Sequence, residues 1–164
     1  GAATLGGVGR AGFNRPCGKA RGGTDVKQAQ DTIAIRTRGQ GLHEVTGPVA
    51  DWTAAQGIGA GLLTVFCRHT SASLVIQENA DADVARDLET FFSRLAPEDP
   101  ARYRHTTEGP DDMPAHIKGA LTATSLAIPV AGGRPVLGTW QGIYLFEHRS
   151  RPHRRQLTLH LIGE

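Results

Sequence analysis

Aromatic residues supply only 5% of this 164-residue chain, so its core has to be assembled from aliphatic side chains. Cysteine is scarcer still. Cys17 and Cys67 lie far apart and form no CxxC pair, which excludes a disulfide framework and a thiolate zinc cluster and makes a reducing cytoplasm the expected compartment. No apolar stretch approaches the roughly 20 residues that cross a bilayer, and no charged-then-apolar signal segment opens the chain. Neither a membrane partner nor export is expected. The net charge of +2 is too small for the concentrated basic face of a nucleic-acid-binding domain, so no nucleic acid is expected either. Catalytic signatures are missing as well: there is no GxSxG elbow, no HExxH, and no Walker lysine after Gly57, Gly59 and Gly61.

What is present fits one globular domain, with 39% hydrophobic and 21% charged residues and enough glycine for many turns. Residues 1–28 are Gly-rich and basic with no hydrophobic period, and read as a flexible extension or expression remnant ahead of a domain over 29–164. Ile33 and Ile35 alternate with polar residues up to Gly39-Gln40-Gly41, after which Leu42 to Val45 forms the expected second arm of a hairpin. Pro48 opens a short helix, Leu62 to Cys67 is an apolar strand, and Ala72 to Gln77 is the next. The spacing of Val84, Leu88, Phe91, Phe92 and Leu95 predicts a helix from about Ala80 to Leu95, capped by Asn79 or Asp81. A polar loop over 97–113 leads to a helix opened by Pro114. Ser125 to Val130, Trp140 to Glu147 and Gln156 to Ile162 complete about seven strands. With two to three inserted helices and no strict βαβ rhythm, the expected class is α+β, a two-layer β-sandwich.

Chemistry concentrates on three histidines. His69 closes a strand, His105 lies in the long polar loop, and His116 sits in the first helical turn beside Asp111 and Asp112, where a carboxylate can orient its second nitrogen. Three neutral imidazoles and a water hold zinc tetrahedrally with one position open, so His69, His105 and His116 are candidate ligands of a divalent metal, zinc being the expected ion. Separate structural roles for the three are the alternative. His43, His153 and His160 look like strand-face or exposed residues, and His148 like an ordinary hydrogen-bonding one. Glu78 and Asp81 are candidate proton carriers, although Asp81 and Asp83 also suit a helix N-terminus. Ser71 is read as a ligand or backbone partner and not as a nucleophile, and Cys67 as a buried, inert thiol. The run Arg149, Arg151, Arg154, Arg155 reads as a solvated loop or a phosphate clamp.

Three ordered blocks, RHTSASLVIQENADADVARDLE (68–89), YRHTTEGPDDMPAHIKGAL (103–121) and LGTWQGIYLFEHR (137–149), closely resemble the YjbQ-like family, also called UPF0047. The resemblance runs from about residue 28 to the end. It implies a YjbQ-like sandwich assembled as a homotrimer, with sites near subunit contacts. His69, His105 and His116 match the family's histidines; Glu78, Asp81 and Asp112 match its acidic positions. Gly138 to Gln141 and Glu147 match the last motif, whereas the segment from His148 to Arg155 replaces a glycine-containing turn. The family is similar to proteins with a weak thiamine-phosphate synthase activity, which joins a thiazole phosphate to a pyrimidine pyrophosphate. The resemblance thus implies a transferase acting on a small phosphorylated molecule. In it Glu78 or Asp81 moves a proton, and Ser71, Asn79, Gln141, Arg149 and Arg155 hold substrate or phosphate. The alternative is a non-catalytic trimer that binds a metal or small ligand.

Overall fold

A computed structural model describes residues 25–164. Among the described residues, eight strands form two antiparallel sheets, accompanied by three α-helices and one 3₁₀ turn, in agreement with the expected α+β sandwich. The larger sheet contains, in chain order, β1 (Lys27–Arg36), β3 (Ala60–Cys67), β5 (Ser125–Ala131), β6 (Arg134–Pro135) and β8 (Arg154–Gly163), in the spatial order β1-β8-β3-β5-β6. The smaller contains β2 (Gly41–Glu44), β4 (Ala72–Glu78) and β7 (Gln141–Glu147), in the order β2-β7-β4. Strand alternation supplies the core: Leu63 and Val65 of β3 and Leu157, Leu159 and Leu161 of β8 point inward against Leu74, Ile143 and Leu145 of the other sheet.

Three helices fill in the rest. α1 (Thr46–Ala55) buries Val49 and Thr53, while α2 (Ala82–Leu95) crosses the outer side of the smaller sheet, where Phe92 meets Phe146 edge-on at 5.3 Å. The approach is close enough that a Cβ on Gly41 would stand 2.6 Å from the Glu89 carboxylate, and Gly41 also adopts a φ of +131°. Only glycine meets both conditions at that position. α3 (Asp112–Leu121) packs against β4, and a Cβ on Gly119 would come within 2.9 Å of the Thr70 carbonyl.

Two expectations are corrected. β1 and β2 do not form a hairpin: β1 pairs with β8 and β2 with β7, so the segment between them passes from one layer to the other. Thr37 anchors that passage, its buried hydroxyl donating to Glu147 Oε2 at 2.9 Å. The eighth strand, β6, is additional to the seven expected: Gly132 and Gly133 both take positive φ and return the chain tightly enough to pair Val130 with Pro135. β1 begins at Lys27, inside the proposed extension; most of that extension, with Cys17, falls outside the described residues. Cys67 is buried, and burial raises its thiol pKa, as an inert thiol requires.

One ion pair lies between the layers. Arg155 Nε and Nη2 donate to the two oxygens of Glu147 at 2.7 and 2.5 Å, and both residues are almost wholly buried. Burial works to raise the Glu147 pKa, but Arg155, the Arg149 amide and Thr37 outweigh it and hold the carboxylate below its ordinary range. Removing one member of such a pair leaves an uncompensated charge. Glu147→Ala is therefore expected to cost about 3–5 kcal/mol in urea unfolding. A loss below about 1 kcal/mol would show that water already screens Arg155.

Candidate metal centre

α3 begins in a knot of charge. Asp111 precedes the helix and Asp112 is its first residue, so both carboxylates stand where the helix dipole favours negative charge. Arg149, just beyond β7, joins them to the loop before the helix. Its Nε donates to Asp111 Oδ2 at 3.0 Å, its Nη1 to Asp112 Oδ1, and its Nη2 to the Glu108 carbonyl at 2.8 Å. The amide and hydroxyl of Ser150 also donate to Asp111 Oδ2, at 2.9 and 3.0 Å. Burial alone would raise the Asp111 pKa, but these donors hold it low.

Because Arg149 occupies Oδ1 of Asp112, the other oxygen is left for the histidines. His105 Nε2 lies 2.8 Å from Asp112 Oδ2, and His116 Nε2 lies 3.5 Å from the same oxygen. The two rings are 5.7 Å apart, and one ligand atom from each of His105, Asp112 and His116 lies within 4.8 Å of the others. Asp112 is 2% exposed, while the histidines are partly open to solvent. The donor set fits a divalent ion of zinc type: two imidazoles and one carboxylate leave a position for water or substrate.

His69 stands apart from this group. It shares a recess of about 280 Å³ with His116, but its Nε2 accepts the Gln156 amide proton at 2.7 Å. A neutral imidazole that accepts at Nε2 carries its proton on Nδ1, so in this arrangement His69 has no lone pair free for a metal. Burial, followed by the nearby Arg155, lowers its pKa.

The other predicted residues divide between the two ends of β4. Ser71 sits at the histidine end, where its hydroxyl accepts from Arg155 Nη2 at 3.1 Å. Glu78, Asn79, Asp81 and Gln141 sit at the far end, since Glu78 pairs with Gln141 whereas Ala72 pairs with Glu147. Seven residues of strand separate the ends by roughly 20 Å. Asp81 caps α2 by accepting the Asp83 amide at 2.8 Å, and Gln141 Oε1 accepts from the Gly138 amide at 2.8 Å. Of the basic run, Arg151 lies exposed in the loop before β8 and Arg154 is exposed at the start of that strand, whereas Arg149 and Arg155 are engaged by carboxylates. The i, i+4 spacing of Asp112 and His116 on one helix face was the sequence signal that could have put Asp112 among the ligands.

Beneath α3, His148 is 1% exposed, and its Nε2 lies 2.8 Å from Ser73 Oγ, which is also buried. This is the hydrogen-bonding role expected of it, with no route for a substrate to the serine. Burial, with Lys118 nearby, pushes the imidazole down to about 3. The unfolded chain then takes up a proton near pH 6.5 that the folded chain refuses, so this stability is present above pH 6.5 and is eroded as pH falls toward 3. Wild-type stability is expected to fall by roughly 3 kcal/mol more than that of His148→Gln between pH 6.5 and 4. Urea titrations across that range measure the difference, and parallel profiles would count against a neutral His148.

Comparison with known proteins agrees with this fold. The family described as UPF0047 protein YjbQ-like matches residues 31–164. A UPF0047 protein of Synechocystis sp. is 55% identical over 138 residues, covering 84% of this chain and 94% of its own length. The UPF0047 protein YjbQ of Escherichia coli O157:H7 is 43% identical, covering 82% and 98%. Among solved structures, a YbjQ-like protein of unknown function from Sulfolobus solfataricus P2 superposes with a TM-score of 0.78 at 26% identity, covering 85% of this chain and all of that one. A YjbQ/UPF0047-family protein from Clostridium acetobutylicum gives 0.72 at 32% identity, covering 79% and 97%.

Proposed function

Because this chain belongs to the UPF0047 YjbQ-like family, we propose that it is a metal-dependent enzyme acting on a small phosphorylated molecule, with His105, Asp112 and His116 as the metal ligands. The observation that carries the reading is the convergence of two imidazoles and a buried carboxylate, whose second oxygen is tied down by Arg149. A bound divalent ion supplies charge neutralisation for a leaving phosphate or pyrophosphate. The concrete reaction is transfer of the thiamine-phosphate synthase type, in which a pyrimidine pyrophosphate loses pyrophosphate as its carbon bonds to a thiazole phosphate nitrogen. Around that reaction the chain's own side chains orient the metal ligands and shield them from one side. We assign the protein to the cytoplasm, where Cys67, without a disulfide partner among the described residues, stays reduced. No helix among the described residues is long and apolar enough to cross a membrane.

A second reading has its own support. Glu78 and Asp81 lie roughly 20 Å along β4 from the histidine end of the same chain. A metal- or ligand-binding protein without catalysis needs no proton carrier at the metal. The catalytic reading needs those carboxylates from a neighbouring copy, and the homotrimer supplies a neighbour. Support for assembly comes from the outer face of the larger sheet, where Leu62, Phe66 and Ile162 are each at least 40% exposed and Leu62 faces Ile162 across the strands.

Two measurements bear on these readings. Metal-stripped protein reloaded with zinc and dialysed is expected to retain one ion per chain, and Asp112→Asn or His116→Ala to retain less than a tenth of that. Full retention in both variants would remove the proposed ligands. If the zinc-loaded protein forms no more thiamine phosphate than a protein-free blank, the binding reading replaces the catalytic one. For assembly, sedimentation at micromolar concentration is expected to give a trimer that Phe66→Glu dissociates, and a wild-type monomer would rule the trimer out.

A further inference from the structure

The arginines that sequence reasoning assigned to phosphate are engaged elsewhere, but other arginines at the same end of the sandwich are not. Arg36 and Arg154 are direct cross-strand partners at the end of the β1–β8 pairing. Both are exposed and face outward, since their neighbours Ile35 and Arg155 point into the protein. Like charges directly opposite on adjacent strands destabilise a sheet. Arg38 follows β1, Arg151 precedes β8, and Arg68 follows the outward-facing Phe66 while its amide bonds the Gln156 carbonyl.

None of these five guanidinium groups has an ion-pair or hydrogen-bond partner among the described residues. Residues 1–24 contain no Asp or Glu that could neutralise them. An anion from solution can supply the countercharge. Arg36 and Arg154 also form two walls of a recess of about 320 Å³, completed by Thr37, Pro152 and His153. His153 lines a second recess of about 390 Å³ whose walls include Asp111, Arg149 and Arg151. One shared residue thus separates the arginine recess from the surroundings of the proposed metal ligands.

We infer that Arg36 and Arg154 form a binding site for the phosphate or pyrophosphate group of a small molecule. Guanidinium groups suit such an anion because their planar donors reach two oxygens at once, and the anion removes the repulsion between the paired strands. This shallow recess is open to solvent, so a phosphate group can reach both arginines. The inference rests on the reading above in identifying the anion as part of the substrate. The binding step itself involves no metal, so the two can fail separately.

Full-length protein treated with EDTA is titrated with inorganic phosphate and with pyrophosphate, by calorimetry and by thermal unfolding. Wild type is expected to bind pyrophosphate more tightly than phosphate and to gain thermal stability from it. Arg36→Gln and Arg154→Gln should each weaken binding at least ten-fold while melting, without ligand, at or above the wild-type temperature, as relief of repulsion requires. Arg134→Gln, an exposed arginine remote from the recess, should bind as wild type does. The inference is overturned if wild type binds neither anion, if both recess variants keep wild-type affinity, or if Arg134→Gln loses as much as they do. It is also overturned if the recess variants break up an assembly that pyrophosphate leaves untouched, since the countercharge would then be another protein's carboxylate. Pyrophosphate binding without zinc retention would sink the metal reading and leave this one standing.

Discussion

The guanidinium of Arg149 holds three separate pieces of chain together: Asp111 and Asp112 at the start of α3, the Glu108 carbonyl in the preceding loop, and β7, from whose end the arginine projects. The position of both candidate metal-binding histidines follows from it. His116 is carried by the helix that the arginine pins, and His105 belongs to the loop whose end it ties down. A long polar loop has no apolar face with which to hold itself against a sandwich, so charge-assisted hydrogen bonds to a partly buried arginine take over that task. With Oδ1 of Asp112 so occupied, a single oxygen of that carboxylate remains for the imidazoles.

The fold was legible wherever burial imposes a period. Leu157, Leu159 and Leu161 alternate with outward residues, and Val84, Leu88 and Phe92 recur at helical spacing, so β8 and α2 were readable from sequence. The partnership of β1 was not. An Ile-x-Ile strand followed by Gly-Gln-Gly has the local chemistry of a hairpin, but what directs β1 to β8 is a ten-residue register with a strand more than a hundred residues away, and no local signal reports that. The site was legible in part for a related reason. Residue type marked His105 and His116, but the helix was expected to open at Pro114 and in fact starts at Asp112, so the helical spacing that joins Asp112 to His116 went unused. The use of His69 Nε2 by the Gln156 amide depends on where β8 passes, which only the tertiary structure determines.

The same limit divides the basic run. Arg149, Arg151, Arg154 and Arg155 look equivalent in sequence, yet Arg155 and Arg154 are neighbours on a strand and must face opposite sides of the sheet. One enters the space between the layers, where it is stable only because Glu147 meets it. The other is directed outward, opposite Arg36. Alternation turns one cluster of like charge into a structural ion pair and an uncompensated pair on the surface.

That division bears on how the site can operate. The guanidinium of Arg155 is buried against Glu147 and that of Arg149 is held by Asp111 and Asp112, and withdrawing either from its carboxylates would leave charge uncompensated. Arg149 and Arg155 therefore serve the scaffold in this arrangement. An anion is met most readily by cations without a partner among the described residues, and Arg36 and Arg154 are such cations at the outer edge of the same end of the sandwich as His105, Asp112 and His116. The buried carboxylates hold the metal-type residues in place, the outward arginines await a countercharge, and His153 lies against both recesses. A ligand with its phosphate at the arginines and its reacting part toward α3 would satisfy both halves at once.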